Sequence, residues 1–90
     1  MEFLVELYAD KQLLRKLLTP KIVFDDYGYS IIPQRLRCSH CEEDLPVTKP
    51  GGYALFDYEG ELWELLCENC RQRFHRSTPT YESLEQAMKR

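Results

Sequence analysis

The sequence of 90 residues predicts a small α+β domain, and three observations carry that expectation. All four cysteines fall in two Cys-x-x-Cys pairs, Cys38-Ser39-His40-Cys41 and Cys67-Glu68-Asn69-Cys70. Two β-rich stretches are each folded back by turn residues. The two ends of the chain carry apolar residues at helical spacing.

From the N-terminus, Glu2 to Leu18 is predicted to be one helix, because Phe3, Leu7, Leu14, Leu17 and Leu18 share an arc of about 100° at 3.6 residues per turn. Thr19-Pro20 ends it, and Leu4, Tyr8 and Leu13 widen its apolar face. Ile22–Phe24 and Tyr29–Ile32 flank Asp25-Asp26-Tyr27-Gly28, which predicts a short hairpin closed by Pro33. A second hairpin follows the loop Thr48-Lys49-Pro50-Gly51-Gly52, with strands Tyr53–Tyr58 and Glu61–Leu66 about a Glu59-Gly60 turn. That register sets Phe56 against Trp63 and places Ala54 and Leu65 on the same face. Phe24, Phe56, Trp63 and Phe74 are the expected aromatic filling of the core.

Beyond the second cysteine pair, Cys70–Arg76 holds no helix breaker and is expected to be a short helix. Thr78 as N-cap and Pro79 in the first turn predict a last helix reaching Lys89, with Tyr81, Leu84 and Met88 as its apolar stripe. The expected organisation is therefore one domain over 1–90: helix 1–20, hairpin 21–36, cysteine finger 37–76 and C-terminal helix 77–90.

The cysteine spacing is a chemical signal as well as a structural one. A two-residue gap lets one tight turn present two sulfurs to an ion, and two such pairs complete the tetrahedral thiolate set that zinc favours. One Zn²⁺ on Cys38, Cys41, Cys67 and Cys70 is the expected cofactor. Iron also accepts four thiolates, although Glu42 and Arg71 stand where glycine commonly follows the knuckles of iron sites. A redox role is a further alternative, since Cys67 and Cys70 sit at a predicted strand-to-helix junction that would lower a thiol pKa. A domain this small buries only about two-thirds of its unfolded surface, so its fold is expected to depend on the ion.

The order knuckle, hairpin, knuckle entering a helix resembles a treble-clef zinc finger over about Arg37 to Arg76. Within that class, Leu65-Leu66-Cys67-Glu68-Asn69-Cys70-Arg71-Gln72-Arg73-Phe74-His75-Arg76 is locally similar to the closing segment of HNH-type nuclease domains. Those enzymes use histidines with a metal to activate water. Residues 42–66 contain no histidine, and Arg71 occupies the place after the last cysteine where that family commonly has one. What the resemblance implies is the scaffold, with the expectation leaning away from an enzyme.

His75 is a candidate alternative ligand or phosphate contact. Arg35, Arg37, Arg71, Arg73 and Arg76 flank the knuckles and are candidate nucleic-acid contacts, since arginine forks suit phosphate. Against them stand a formal net charge of −3, the run Glu42-Glu43-Asp44, and Glu59, Glu61, Glu64 and Glu68 around the second hairpin. The expected function is a zinc-dependent binding module for another protein, acting as adaptor or regulator, with nucleic-acid binding as the alternative. No stretch is apolar enough to cross a membrane, and clustered thiols suit a reducing cytoplasm.

Overall fold

The computed structural model describes residues 2–32 and 35–89. The element order is β1 (Phe3–Glu6), α1 (Lys11–Leu18), β2 (Lys21–Asp25), β3 (Gly28–Ile32), β4 (Gly52–Phe56), β5 (Leu62–Cys67), α2 (Glu68–Phe74), β6 (Thr80–Tyr81) and α3 (Leu84–Met88). The class is mixed α+β. A four-stranded sheet runs β5-β4-β1-β6, and β2 and β3 form a separate two-stranded sheet.

The N-terminal segment differs from the single helix expected over Glu2–Leu18. Its first part is β1, antiparallel to β4 (Phe3↔Phe56, Leu4↔Leu55, Val5↔Ala54) and parallel to β6 (Leu4↔Thr80, Val5↔Tyr81). Phe3, Leu4 and Val5 are all fully buried. A run buried on both faces of a sheet is continuously apolar, and over a few residues such a run also satisfies helical spacing. Long-range pairing decides between the two. The helix begins only after Asp10, whose Oδ1 accepts the Leu13 N–H at 3.0 Å.

That carboxylate has a second task. Its Oδ2 accepts the Leu84 N–H at 2.9 Å, in the first turn of α3. One aspartate thus holds the N-terminal ends of α1 and α3 together. Substitution Asp10→Ala is expected to lower unfolding free energy by about 2 kcal/mol, the upper range for one cap, because two helix starts lose an acceptor. Urea unfolding of Asp10→Ala and Asp10→Asn checks it, with asparagine retaining part of the loss as a neutral acceptor.

The last helix is also shorter than expected. Thr80–Tyr81 is an edge strand, the Leu4 N–H donates to Pro79 O at 2.8 Å, and Ser83 rather than Thr78 is the N-cap, its Oγ accepting Gln86 N–H at 3.0 Å. The edge of β1 offered ladder partners to this stretch, which outweighed the Thr-Pro start signal. Within α3 it is Ala87 that is buried, while Met88 is exposed.

The hairpin β2–β3 follows expectation, with Ile22↔Ile31 and Phe24↔Tyr29 paired about the two-residue Asp26-Tyr27 loop. Gly28 takes φ +133, a value that favours glycine. The closure expected at Pro33 lies outside the described residues. The second hairpin, β4–β5, forms with a changed register. Ala54 faces Leu65 as expected, but a bulge shifts the ladder so that Phe56 pairs with Leu62. Asp57 Oδ1 accepts the N–H groups of Glu59 and Glu61, both at 2.9 Å, which makes the loop longer than two residues. Trp63 is thereby turned outward, 61 % exposed, with Nε1 donating to Asp57 Oδ2 at 3.3 Å. Phe24 and Phe74 are exposed as well, so of the four aromatics expected inside only Phe56 is in the core. Phe3 and Tyr81 take their place around it, at ring separations of 5.7 Å from Phe3 to Phe56 and 5.9 Å from Phe3 to Tyr81.

Candidate metal centre

The first cysteine pair is shaped by a miniature ladder. Leu45 N–H donates to Leu36 O at 2.8 Å, Arg37 bridges Asp44, and Cys38 N–H donates to Glu43 O at 2.9 Å. The chain reverses between them, with Glu42 N–H donating to Cys38 O at 3.0 Å and Glu42 itself in the left-handed region at φ +62. A side chain with a Cβ is disfavoured there by about 1 kcal/mol. Replacing Glu42 with glycine is therefore expected to raise unfolding free energy by several tenths of a kcal/mol, after the larger unfolded-state entropy of glycine is subtracted. Comparison of urea midpoints, at fixed metal loading, tests the sign.

The second pair is built by an element junction. Cys67 is the last residue of β5 and the N-cap of α2, and its Sγ accepts the Cys70 N–H at 3.5 Å. Ser39 and His40, the interior residues of the first knuckle, fasten the two halves. Ser39 N–H donates to Leu65 O at 2.8 Å, and its Oγ accepts the Leu65 N–H at 3.2 Å. The His40 ring lies 3.0 Å from the Glu64 carboxylate through Nε2 and stacks on Phe74 at 4.6 Å. His40 is thus a strap across the site. Nothing in the residues adjacent to it announces Glu64 or Phe74.

The four sulfurs, Cys38, Cys41, Cys67 and Cys70, all lie within 4.8 Å of one another and could hold a metal ion. Tetrahedral zinc–thiolate bonds of about 2.3 Å require sulfurs about 3.8 Å apart. The Cys41 and Cys67 sulfurs are 3.6 Å apart, within hydrogen-bond reach, and form no disulfide. Cys38, Cys67 and Cys70 are buried and Cys41 is exposed, which leaves one side of the cluster facing water. No family model, curated protein or solved structure matches the chain.

The protonation pattern of the bare cluster shows why it suits a cation. Burial works against ionisation of Cys38, yet backbone N–H donors from Cys41, Cys67 and His40 outweigh it and bring that thiol down to about 6. Burial, with hydrogen bonds to the neighbouring sulfurs, pushes Cys70 up to about 12. Cys41 is also raised: the Glu43 N–H pulls it down, but burial and the sulfurs of Cys38 and Cys67 prevail. Four thiols this close cannot all ionise without a positive charge among them.

Beside the cluster, Glu68 gathers three donors. Arg71 Nη2 reaches its Oε1 at 2.7 Å, Gln72 Nε2 reaches the same oxygen at 2.9 Å, and Tyr53 O–H donates to Oε2. The Arg71 guanidinium also lies over the Tyr53 ring at 4.9 Å. Arg71, followed by Tyr53, holds Glu68 down to about 2, while burial and Glu68 raise Tyr53 to about 12. The Glu68 contribution to stability is full above its ordinary value of 4.5 and is lost as pH falls toward 2. The Tyr53 contribution is full below 10.0 and is lost as pH rises through 12. Tyr53→Phe is expected to cost about 1 kcal/mol between pH 5 and 9, since the half-exposed carboxylate is screened by solvent, and to flatten the loss above pH 10. Thermal unfolding of the two proteins across pH checks both statements.

The other candidate residues are dispersed in their partnerships. His75 is the C-cap of α2, with Nδ1 3.9 Å from Glu2 and 3.4 Å from Thr78 Oγ1, and it is outside the sulfur cluster. Its place at the helix end, where it meets the N-terminal segment, accounts for that. Arg37 pairs with Asp44 at 3.4 Å, and Arg71 is committed to Glu68 and Tyr53. Arg73 lies over Phe74 at 5.8 Å, while Arg35 and Arg76 are exposed.

Proposed function

We propose that this chain is a zinc-stabilised binding module of treble-clef type, working through contacts with another protein rather than through catalysis. The observation that carries the reading is the convergence of four sulfurs from two knuckles, the second of which opens directly into a helix. Cys38, Cys41, Cys67 and Cys70 would hold one Zn²⁺, whose role there is to tie the β4–β5 hairpin to α2 and to the first knuckle. The surface so ordered then does the binding.

Protein rather than nucleic acid is favoured by charge and by exposed apolar area. The formal net charge is −3, and four thiolates around Zn²⁺ would add two further negative charges. Two of the five candidate arginines are already paired with carboxylates. Meanwhile Ile22, Phe24, Tyr27, Tyr29 and Ile31 all stand more than half exposed on one hairpin. Glu68 does not support nuclease chemistry, because a carboxylate held near 2 by three donors is a poor proton acceptor.

Native mass spectrometry of the full chain, recovered without added metal, tests the assignment. One zinc per chain, removed by chelator together with the far-UV signal, is the expected result. Iron absorption bands, or an intact fold with a titratable disulfide, would replace the zinc reading.

A further inference from the structure

Cys41 stands apart in the sulfur cluster. Cys38, Cys67 and Cys70 are buried, and Cys41 alone of the four is exposed. The sulfur within hydrogen-bond reach of it, at 3.6 Å, belongs to Cys67 in the other knuckle. Backbone bonds hold the two in register. Ser39 N–H donates to Leu65 O at 2.8 Å and Leu65 N–H donates to Ser39 Oγ at 3.2 Å, and Cys41 and Cys67 each lie two residues beyond that pair. The His40 ring, 3.0 Å from the Glu64 carboxylate and stacked on Phe74, fastens the same junction. An exposed sulfur held against a buried one from a different segment is the arrangement of an oxidisable cysteine beside its resolving partner.

We propose that Cys41 is a site of reversible oxidation by hydroperoxides, and that the product is a disulfide from Cys41 to Cys67 joining the two knuckles. The inference rests on the zinc reading, since a coordinating thiol is held as thiolate, the form that attacks a peroxide. In the first step the Cys41 thiolate attacks a peroxide oxygen: an S–O bond forms, the O–O bond breaks, and alkoxide or hydroxide leaves a sulfenic acid behind. In the second the Cys67 thiolate attacks the Cys41 sulfur: an S–S bond forms, the S–O bond breaks, and hydroxide leaves. Two thiolates have then given two electrons to one peroxide, and water protonates both leaving groups. Burial keeps Cys67 from meeting the peroxide itself and reserves it for the second step. Withdrawal of two thiolates leaves too few for a closed four-sulfur set, so the ion is released. The new bond still spans the halves that the ion would tie, the first knuckle and the head of α2. Oxidation therefore exchanges a metal staple for a covalent one, and the metal-free product stays folded. A dithiol reductant, itself oxidised to a disulfide, restores the four thiols.

Hydrogen peroxide added to the zinc-loaded full chain tests this, with zinc release followed by a chromogenic chelator and the product mapped by mass spectrometry. Cleavage after glutamate suits the mapping, because Glu42 and Glu68 separate the first knuckle, Cys67 and Cys70 into three peptides. Fragmentation of the linked pair then tells Cys41 from Cys38. The expected result is release of the zinc in step with a Cys41–Cys67 link, a retained far-UV signal, and zinc binding regained after dithiothreitol. Cys41→His keeps a zinc ligand but removes the oxidisable sulfur, and is expected to slow release about tenfold or more. If that variant binds no zinc, the map of the wild-type product still decides. Links confined to one knuckle, loss of the far-UV signal on oxidation, or zinc retained in excess peroxide overturns the proposal and leaves the zinc reading standing. A chain that holds no zinc before peroxide is added overturns both.

Discussion

Cys67→Ser is expected to leave the chain without bound metal and without cooperative unfolding. Serine is itself a good helix N-cap, so the start of α2 keeps an acceptor while the proposed zinc site loses one of four sulfurs. The magnitude follows from comparing two scales. Structural zinc in finger-like sites contributes about 10–16 kcal/mol of apparent binding energy at neutral pH, and a small domain holds about 5–15 kcal/mol of net stability. Loss of the first term is as large as the whole net stability of a small domain. Metal analysis alongside far-UV circular dichroism checks the result, and the wild-type chain treated with chelator should reach the same state. His40→Ala provides the contrast: it removes the strap to Glu64 and Phe74 but no sulfur, so metal is expected to remain bound. A Cys67→Ser protein that melts cooperatively at the wild-type temperature would contradict the zinc assignment. Acidification should mimic the substitution, because protons compete with the ion for thiolates.

The second large effect is at the other end of the molecule. Phe3→Ala is expected to cost about 3–5 kcal/mol, the range for emptying a fully buried aromatic site. Phe3 sits in the middle of the sheet, paired opposite Phe56, stacked on its ring and edge-on to Tyr81. Removal of the ring withdraws contacts from three strands at once. In a frayed first turn of a helix the same substitution would cost well under 1 kcal/mol, so the measurement discriminates between the two conformations of the segment. Tyr8→Ala, at a half-exposed position just beyond β1, should change stability little. Urea unfolding of the metal-loaded proteins gives both numbers on one scale.

The N-terminus also shows where local pattern stops being informative. Phe3-Leu4-Val5 satisfies a helical arc and a buried strand equally, and its neighbours in the sheet come from 52–56 and 80–81, far along the chain. The signal that separated strand from helix was Asp10, a capping residue in the middle of what periodicity joined together. Trp63 is a similar case. Opposite Phe56 it would be core, but Asp57 lengthens the turn, a bulge follows, and the indole faces water. Glu59-Gly60 was visible as turn chemistry; the part Asp57 plays in the loop, and its consequence for the register, were not. By contrast, the Asp25–Gly28 turn and the first hairpin were legible because each depends on neighbours only a few residues away; a helix at the second knuckle was legible too, although it runs Glu68–Phe74 rather than from Cys70 to Arg76.

What the amino-acid sequence determined by itself is therefore the chemistry and the local punctuation: two dithiol knuckles, the turns, an acidic balance, and the mixed α+β class. What the tertiary structure decided is which of these meet. It brought the four sulfurs together and made residues 3–6 a central strand. It joined Asp10 to Leu84, and it left the Ile22, Phe24, Tyr29 and Ile31 face outside the core. The reason is that spacing and turn preference act over a few residues, whereas burial and ladder pairing are chosen among all segments at once.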